Sequence, residues 1–422
     1  MHLRTIASPL SGPLVTLLML GPLWAAPAAA QVDQQRARQY FKEAAGLCQR
    51  EGGRLWGLSL CGPIVIADPK TGTIATSQTP PDAPRPAALG YANAAMNWGG
   101  TRWTTLVWQA IPADERERGI LLIHELFHRV QPGLGLLVQE FDNSHLDTTD
   151  GRYWLQLEWR ALARALRTSD DARGAALQDA LAFRTARQKA FPDARKHEHA
   201  LEINEGLAHY TGVVAGTASS SEALEAALAL LDGAGARDTF VRTFPYVSGP
   251  AYGLLLDAFS PGWTRQMTAQ SEPVQLLATA ADLAPAADAQ AAATRYDGAT
   301  LRAAEDARAA KHAVRVAELR RRFVDGPVIV LPRPRTASFV TTGMVPIPGA
   351  GTVIPTYRTT AEWGTLEAES VLMSADRTTI ALPAPASPAG PTVKGEGWTL
   401  TLEAGWTIRP GPRAGDFVVI RE

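Results

Sequence analysis

The chain has 422 residues, of which 46% are hydrophobic and 20% charged, with a formal net charge of -1. Such a chain can bury a large core and is expected to divide into about two or three globular domains. Its near-zero net charge argues against nucleic acid or an anionic membrane as the main partner.

Residues 1–30 read as a targeting segment. His2 and Arg4 precede an apolar stretch over 14–24, and Ala28, Ala29 and Ala30 offer small residues to a signal peptidase, so the mature chain is expected to begin at Gln31. No cysteine follows at the position a lipoprotein signal needs, and no later run is apolar for long enough to span a bilayer. The expected product is exported, periplasmic or secreted, with no stable membrane insertion after cleavage. Cys48 and Cys61 are the two cysteines. In an oxidising compartment a bond between them would close a short loop and stabilise the chain by about 3 kcal/mol, whereas the plainer reading is two buried thiols.

Residues 31–49 carry helical apolar spacing through Ala37, Tyr40, Phe41, Ala44, Ala45 and Cys48. Segments 63–67 and 73–76 flank Asp68, Pro69, Lys70, Thr71 and Gly72, whose turn chemistry predicts a hairpin, and a proline-rich loop follows over 80–86. Residues 101–111 favour a strand, and an exposed edge there would hold an extended substrate by backbone pairing. A helix is predicted over 112–131: Pro112 suits its first position, Asp114 and Glu115 suit its amino end, and Pro132 stops it. Further helices are predicted over 152–166, 170–189, 199–214, 221–231 and 303–323, the last with mixed charges that read as a solvated face. After Gly326, short alternating segments such as 398–402 and 416–420 predict strands. The expected fold class is α+β. A small sheet leads into a helical bundle over 31–325, mixed over 31–111 and mainly helical over 112–325, and an all-β accessory domain spans 326–422.

The predicted helix over 112–131 contains His124-Glu125-Leu126-Phe127-His128, an H-E-x-x-H motif. Residues four apart share a helix face, so both imidazoles can meet one metal ion. Glu125 then stands beside the open coordination position, where it can take a proton from bound water. The bland reading is a core helix that happens to carry two histidines.

A catalytic zinc needs a third protein ligand. The segment after His128 lacks the further histidine of the metzincin pattern, so a carboxylate is the expected ligand. Three compete: Glu205, within Asn204-Glu205-Gly206-Leu207-Ala208-His209-Tyr210; Glu158, much closer to His128; and Glu202, one turn before Glu205. The bland reading of Glu158 is an ion pair with Arg160 or Arg164. His197 and His199 form no second complete set and are expected at the surface.

These segments resemble the gluzincin aminopeptidases. Asn204 to Tyr210 is similar to their N-E-G-x-A-x-Y signature, and Pro245-Tyr246-Val247-Ser248-Gly249 to their P-Y-x-K-G segment. The resemblance covers about residues 96–257 and implies a gluzincin-like catalytic domain in which His124, His128 and Glu205 bind Zn2+ and Glu125 is the base. It also implies that Tyr246 hydrogen-bonds the oxyanion, with Tyr210 and Tyr252 as alternatives. Three departures stand out. The interval between His128 and Glu205 is much longer than in the family, His209 stands where the family orients a ligand histidine with a carboxylate, and Ser248 replaces the lysine after the tyrosine. Ala95-Met96-Asn97-Trp98-Gly99 looks like their G-x-M-E-N-W-G strand without the glutamate that captures a free amino terminus, which weakens an exopeptidase reading; a structural strand matches those residues as well. The implied function is zinc-dependent hydrolysis of a peptide or protein substrate. The competing expectation is an exported zinc-containing binding or structural protein with little or no turnover.

Overall fold

The computed structural model describes residues 31–340 and 343–422, so the targeting segment expected over 1–30 lies outside the described residues. Helix α1 (Gln34–Glu51) starts at Asp33, whose carboxylate accepts the N–H groups of Gln35 and Arg36, and stops at Gly52 in the left-handed conformation. Its inner face, with Tyr40, Ala44, Leu47 and Cys48, joins the main core. Cys48 is disulfide-bonded to Cys61.

Strands β1 (Ile64–Ala67) and β2 (Ile74–Thr76) form the expected hairpin. Asp68 shapes its turn by accepting from the Lys70 N–H and the Thr71 hydroxyl. With β3 (Ala94–Trp98) and β4 (Thr101–Val107) they make a four-stranded sheet in the order β2-β1-β4-β3. The free edge expected on the 101–111 strand is not there. β4 pairs in parallel with β1 and antiparallel with β3, so both of its backbone edges are used, and it ends at Val107 before a 3-10 turn over Trp108–Ala110. The edge strands are β2 and β3.

Helix α2 (Glu115–Val130) begins three residues after Pro112, because Asp114 caps it by accepting the Glu117 N–H at 2.9 Å. It ends at Val130 and passes into a 3-10 turn over Gln131–Leu134 that contains Pro132. The helices that follow are α3 (Thr149–Arg167), α4 (Asp170–Ala190), α5 (Ala194–Leu201), α6 (Leu207–Gly216), α7 (Ser220–Gly233) and α8 (Pro245–Phe259). The short α9 (Pro273–Ala280) and α10 (Ala289–Ala293) lead to the long α11 (Gly298–Arg320). α5 and α6 are one continuous rod joined by a π-helical turn over Glu202–Gly206, a local widening that often occurs at functional sites.

Two glycine contacts set how these rods cross. A Cβ at Gly212 or Gly216 of α6 would strike the backbone of Ile120 or Gly119 in α2, so the two helices touch backbone to backbone. A Cβ at Gly249 of α8 would strike Gly206 in the same way. Helices normally pack about 8–10 Å apart, and bare glycine surfaces are what permit this closer approach.

Strands β5 (Val328–Pro332), β6 (Val345–Ile347), β7 (Gly351–Ala361), β8 (Gly364–Ser374), β9 (Thr379–Pro383), β10 (Thr392–Gly395), β11 (Trp398–Leu402), β12 (Trp406–Pro410) and β13 (Phe417–Arg421) form a 9-stranded sheet. Most pairs are antiparallel, but β13 runs parallel to β5. The protein is therefore mixed helix and sheet with an all-β C-terminal region. The sheet has its own core, including Tyr357, Trp363, Leu366 and Trp398. A separate cluster packs Leu319 of α11 and Phe323 against Ile347, Val353 and Leu372, seating the sheet on the end of the long helix. Among the described residues no helix is long and apolar enough to cross a membrane.

Candidate metal centre

Helical periodicity brings His124 and His128 together on one face of α2, and their Nε2 atoms lie 3.0 Å apart. The glycine crossing with α6 carries the π turn to the same place, and Glu205 Oε2 lies 3.4 Å from each of these nitrogens. The three side chains form a group that could hold a metal ion. Two imidazole lone pairs and a carboxylate turned toward one point repel unless a proton or a cation lies between them.

The tautomer of His128 follows from its neighbour. Gln131 is fully buried, and its Nε2 donates to the carbonyls of Ile203 and Asn204 at 2.9 and 3.0 Å. Its Oε1 must therefore face His128 Nδ1, 2.8 Å away, as an acceptor. The ring proton sits on Nδ1, and the Nε2 lone pair is free for a ligand. Gln131 stands three residues after His128, a spacing visible in the sequence that pattern reading treats only as a helix end. His124 Nδ1 is buried and has no hydrogen-bond partner among the described residues.

Asn204 fixes the other side of the π turn. Its side chain accepts from the Val138 N–H at 3.0 Å and donates to the Val138 carbonyl at 2.8 Å, clamping the segment after α2 onto the ligand helix. Burial opposes ionisation of Glu205, but hydrogen bonds from His124, His128 and Tyr246 hold its carboxyl far below the usual range. Burial lowers His124 below its ordinary value, whereas in His128 burial pulls the same way but Glu205, Glu125 and Gln131 together raise it. Glu125 is buried with Oε2 unpartnered. Burial, countered by His128 and reinforced by Glu205, pushes its carboxyl up to about 7.

Tyr246 stacks on His124 with ring centroids 5.5 Å apart and donates its hydroxyl to Glu205 Oε2 at 2.6 Å. Burial and the Glu205 charge keep that hydroxyl protonated far above the ordinary tyrosine range. The alternatives lie elsewhere: Tyr210 donates to Asp257 and Tyr252 to Glu158. Ser248 does not face the site; it accepts the Trp159 indole N–H at 2.9 Å in the core. His209 does. Its ring lies 5.6 Å from His124 and 5.3 Å from Tyr246, and burial, with His124 and Arg237 nearby, pulls it down to about 3.

The competing glutamates are committed to structure. Glu158 bonds Arg184 at 3.2 Å and Arg187 at 2.6 Å, so its partners are these and not Arg160 or Arg164, which face other neighbours. Glu202 holds Arg184 through both carboxylate oxygens at 2.7 and 2.8 Å. Glu198 completes this buried cluster against Arg187 and His145. Burial pushes Glu202 up despite Arg184, with Glu198 adding to the push. His197 and His199 are half-buried and bond the backbone carbonyls of Asp142 and Ala269.

A cavity of about 670 Å³ opens beside the cluster, with His124, Glu125, His209 and Tyr246 at one end. On β3, Asn97 is exposed while Trp98 is buried against Trp103. No protein-family model, curated protein or solved structure matches the chain.

Proposed function

We propose that this chain is an exported zinc-dependent peptidase, similar to the gluzincins in its central elements, that hydrolyses peptide or protein substrates. The observation that carries the reading is the convergence of His124, His128 and Glu205 on one point beside a cavity, with the unpartnered Glu125 carboxylate next to them. Ligand atoms about 2.0–2.1 Å from a tetrahedral zinc stand roughly 3.3 Å apart. The observed separations of 3.0, 3.4 and 3.4 Å fit that spacing. Two imidazoles and one carboxylate are also a donor set zinc favours, and three protein donors leave a position open. Zinc bound there would polarise a scissile carbonyl and acidify the attacking water.

The chain's own groups supply the remainder. Gln131 orients His128. Glu125 accepts a proton at Oε2 and returns it to the leaving amine, a task suited to a carboxyl raised to about 7. Tyr246, kept protonated, donates its hydroxyl to the oxygen that gains charge. The Cys48–Cys61 bond fits the oxidising compartment that export implies.

The other reading, a zinc-containing binding or structural protein with little turnover, draws on His124 Nδ1, which lacks the orienting partner usual for a catalytic ligand. The test is zinc content together with hydrolysis of a peptide library, with and without chelator. The peptidase reading expects about one zinc per chain. It also expects Glu125→Gln to retain the zinc while losing turnover by about a thousandfold or more. Unchanged turnover in that variant refutes the mechanism, and stoichiometric zinc with no hydrolysis favours the structural reading.

A further inference from the structure

The cavity beside the metal cluster has a shape and a charge that the hydrolytic machinery does not use. It follows one face of α2 from Glu125 back to Glu117, roughly 12 Å at the helical rise. Its walls there are apolar: Ile120 and Leu121 on α2 face Ala226, Ala229 and Leu230 on α7. Ile120, Ala226 and Leu230 also pack together in one cluster, which brings that stretch of α7 against the far part of the cleft. The small side chains at Ala226 and Ala229 leave room for an apolar side chain.

Arg237 stands in the wall shared with His209 and Tyr246. Its backbone is held firmly: the N–H donates to Ala234 O at 3.2 Å, and the carbonyl accepts from the buried Arg152 at 3.2 Å. Its guanidinium, by contrast, has no ion-pair or hydrogen-bond partner among the described residues, and residues 1–30 contain no Asp or Glu that could supply one. A guanidinium on an anchored backbone, without a counter-ion in a partly apolar cleft, favours a bound anion, and its planar fork suits a carboxylate in particular. Arg116 and Glu117 also border the cleft, but at its far, exposed end, where they offset each other in solvent.

We propose that Arg237 binds the C-terminal carboxylate of the substrate while the last, apolar side chain of the peptide fills the space between α2 and α7. The inference rests on the peptidase reading and sharpens it to a carboxypeptidase. A terminal carboxylate lies one residue beyond the scissile carbonyl, about 3.8 Å along the chain, so its anchor has to stand in the same cleft as the metal cluster, the cleft that His124 and Arg237 both line. No carboxylate stands at Asn97 to receive a free amino terminus. Water adds to the penultimate carbonyl carbon, the C–N bond breaks, and the leaving amine takes a proton; the products are a shortened peptide acid and one apolar amino acid.

The experiment measures binding and turnover separately, with N-benzoyl-glycyl-leucine and its C-terminal amide as probes. Binding is measured by calorimetry on zinc-loaded Glu125→Gln protein, which does not consume the probe, alone and combined with Arg237→Gln or Arg237→Lys. The acid is expected to bind at least about tenfold more tightly than the amide when Arg237 is present, since a hydrogen-bonded charge is at stake. Arg237→Gln should abolish that preference and Arg237→Lys retain part of it. Wild-type protein should release leucine from the acid and leave the amide nearly untouched. Equal binding of acid and amide, or a preference that survives Arg237→Gln, overturns the inference. Zinc-dependent cleavage of acid and amide alike would sink the carboxypeptidase assignment and leave the peptidase reading standing. Acid-selective binding through Arg237 with no hydrolysis of any peptide would support the carboxylate anchor and refute the peptidase.

Discussion

Gln131 offers the sharpest test of how the metal cluster is built, because its side chain fixes three neighbours at once. Its Oε1 lies 2.8 Å from His128 Nδ1, and its Nε2 donates to the carbonyls of Ile203 and Asn204 at 2.9 and 3.0 Å, on the turn that carries Glu205. Gln131→Leu keeps the volume but removes all three bonds. His128 is then free to rotate or to change tautomer, and the Glu205 turn loses its tie to α2. Losing the partner that orients a ligand typically costs about 10- to 100-fold in metal affinity, or about 1.4–2.7 kcal/mol. Zinc affinity is read by competition against a chromophoric chelator, with circular dichroism as the check on folding. Gln131→Glu separates the two contributions: it keeps an acceptor for His128 but gives up the donor to the two carbonyls, and it should retain more affinity than Gln131→Leu. If Gln131→Leu folds and binds zinc as tightly as the parent chain, the orienting role is wrong and the ligand geometry is set by helix packing alone.

Glu205→Gln should deplete bound zinc, whereas Glu158→Gln should leave it nearly unchanged while destabilising the fold by about 3–5 kcal/mol, because two buried arginines lose a partner; metal analysis and urea melts distinguish them, and zinc loss confined to Glu158→Gln would reverse the ligand assignment. Tyr246→Phe should lower peptide hydrolysis by about a hundredfold at equal zinc content, and an unchanged rate would remove the oxyanion role from this residue. Acid sensitivity should trace to Glu198, whose carboxyl Arg187 and His145 hold well below its ordinary value against the push of burial. Its stabilisation is therefore complete at neutral pH, above the unfolded-state value, and is lost as pH falls below about 4.5. Glu202, raised by burial, works in the opposite direction and in the range above about 4.5, where the folded chain takes up its proton before the unfolded chain does. Glu198→Gln should flatten the fall in melting temperature on acidification, and an identical slope in the variant would contradict this.

Much of the local structure was legible in the residues themselves. Four-residue spacing is enough to bring His124 and His128 onto one face, the residues around Asp68 are enough to turn a hairpin, and Asp114 marks the amino end of α2, though Pro112 suggested a start three residues too early. These features depend on neighbours within about one helical turn, so periodicity and side-chain chemistry determine them. The choice among Glu158, Glu202 and Glu205 depends on which helices touch. The bare backbones of Gly119, Gly212 and Gly216 let α2 and α6 close, while Arg184 and Arg187 take up the other two carboxylates in the core. The interior position of β4 likewise came from its pairing with β1, which a run of strand-forming residues cannot reveal. Gln131 and Arg237 carry no motif at all. One gains its part by lying between two helices, the other by standing in a cavity without a counter-ion, and only the folded chain brings those surroundings together.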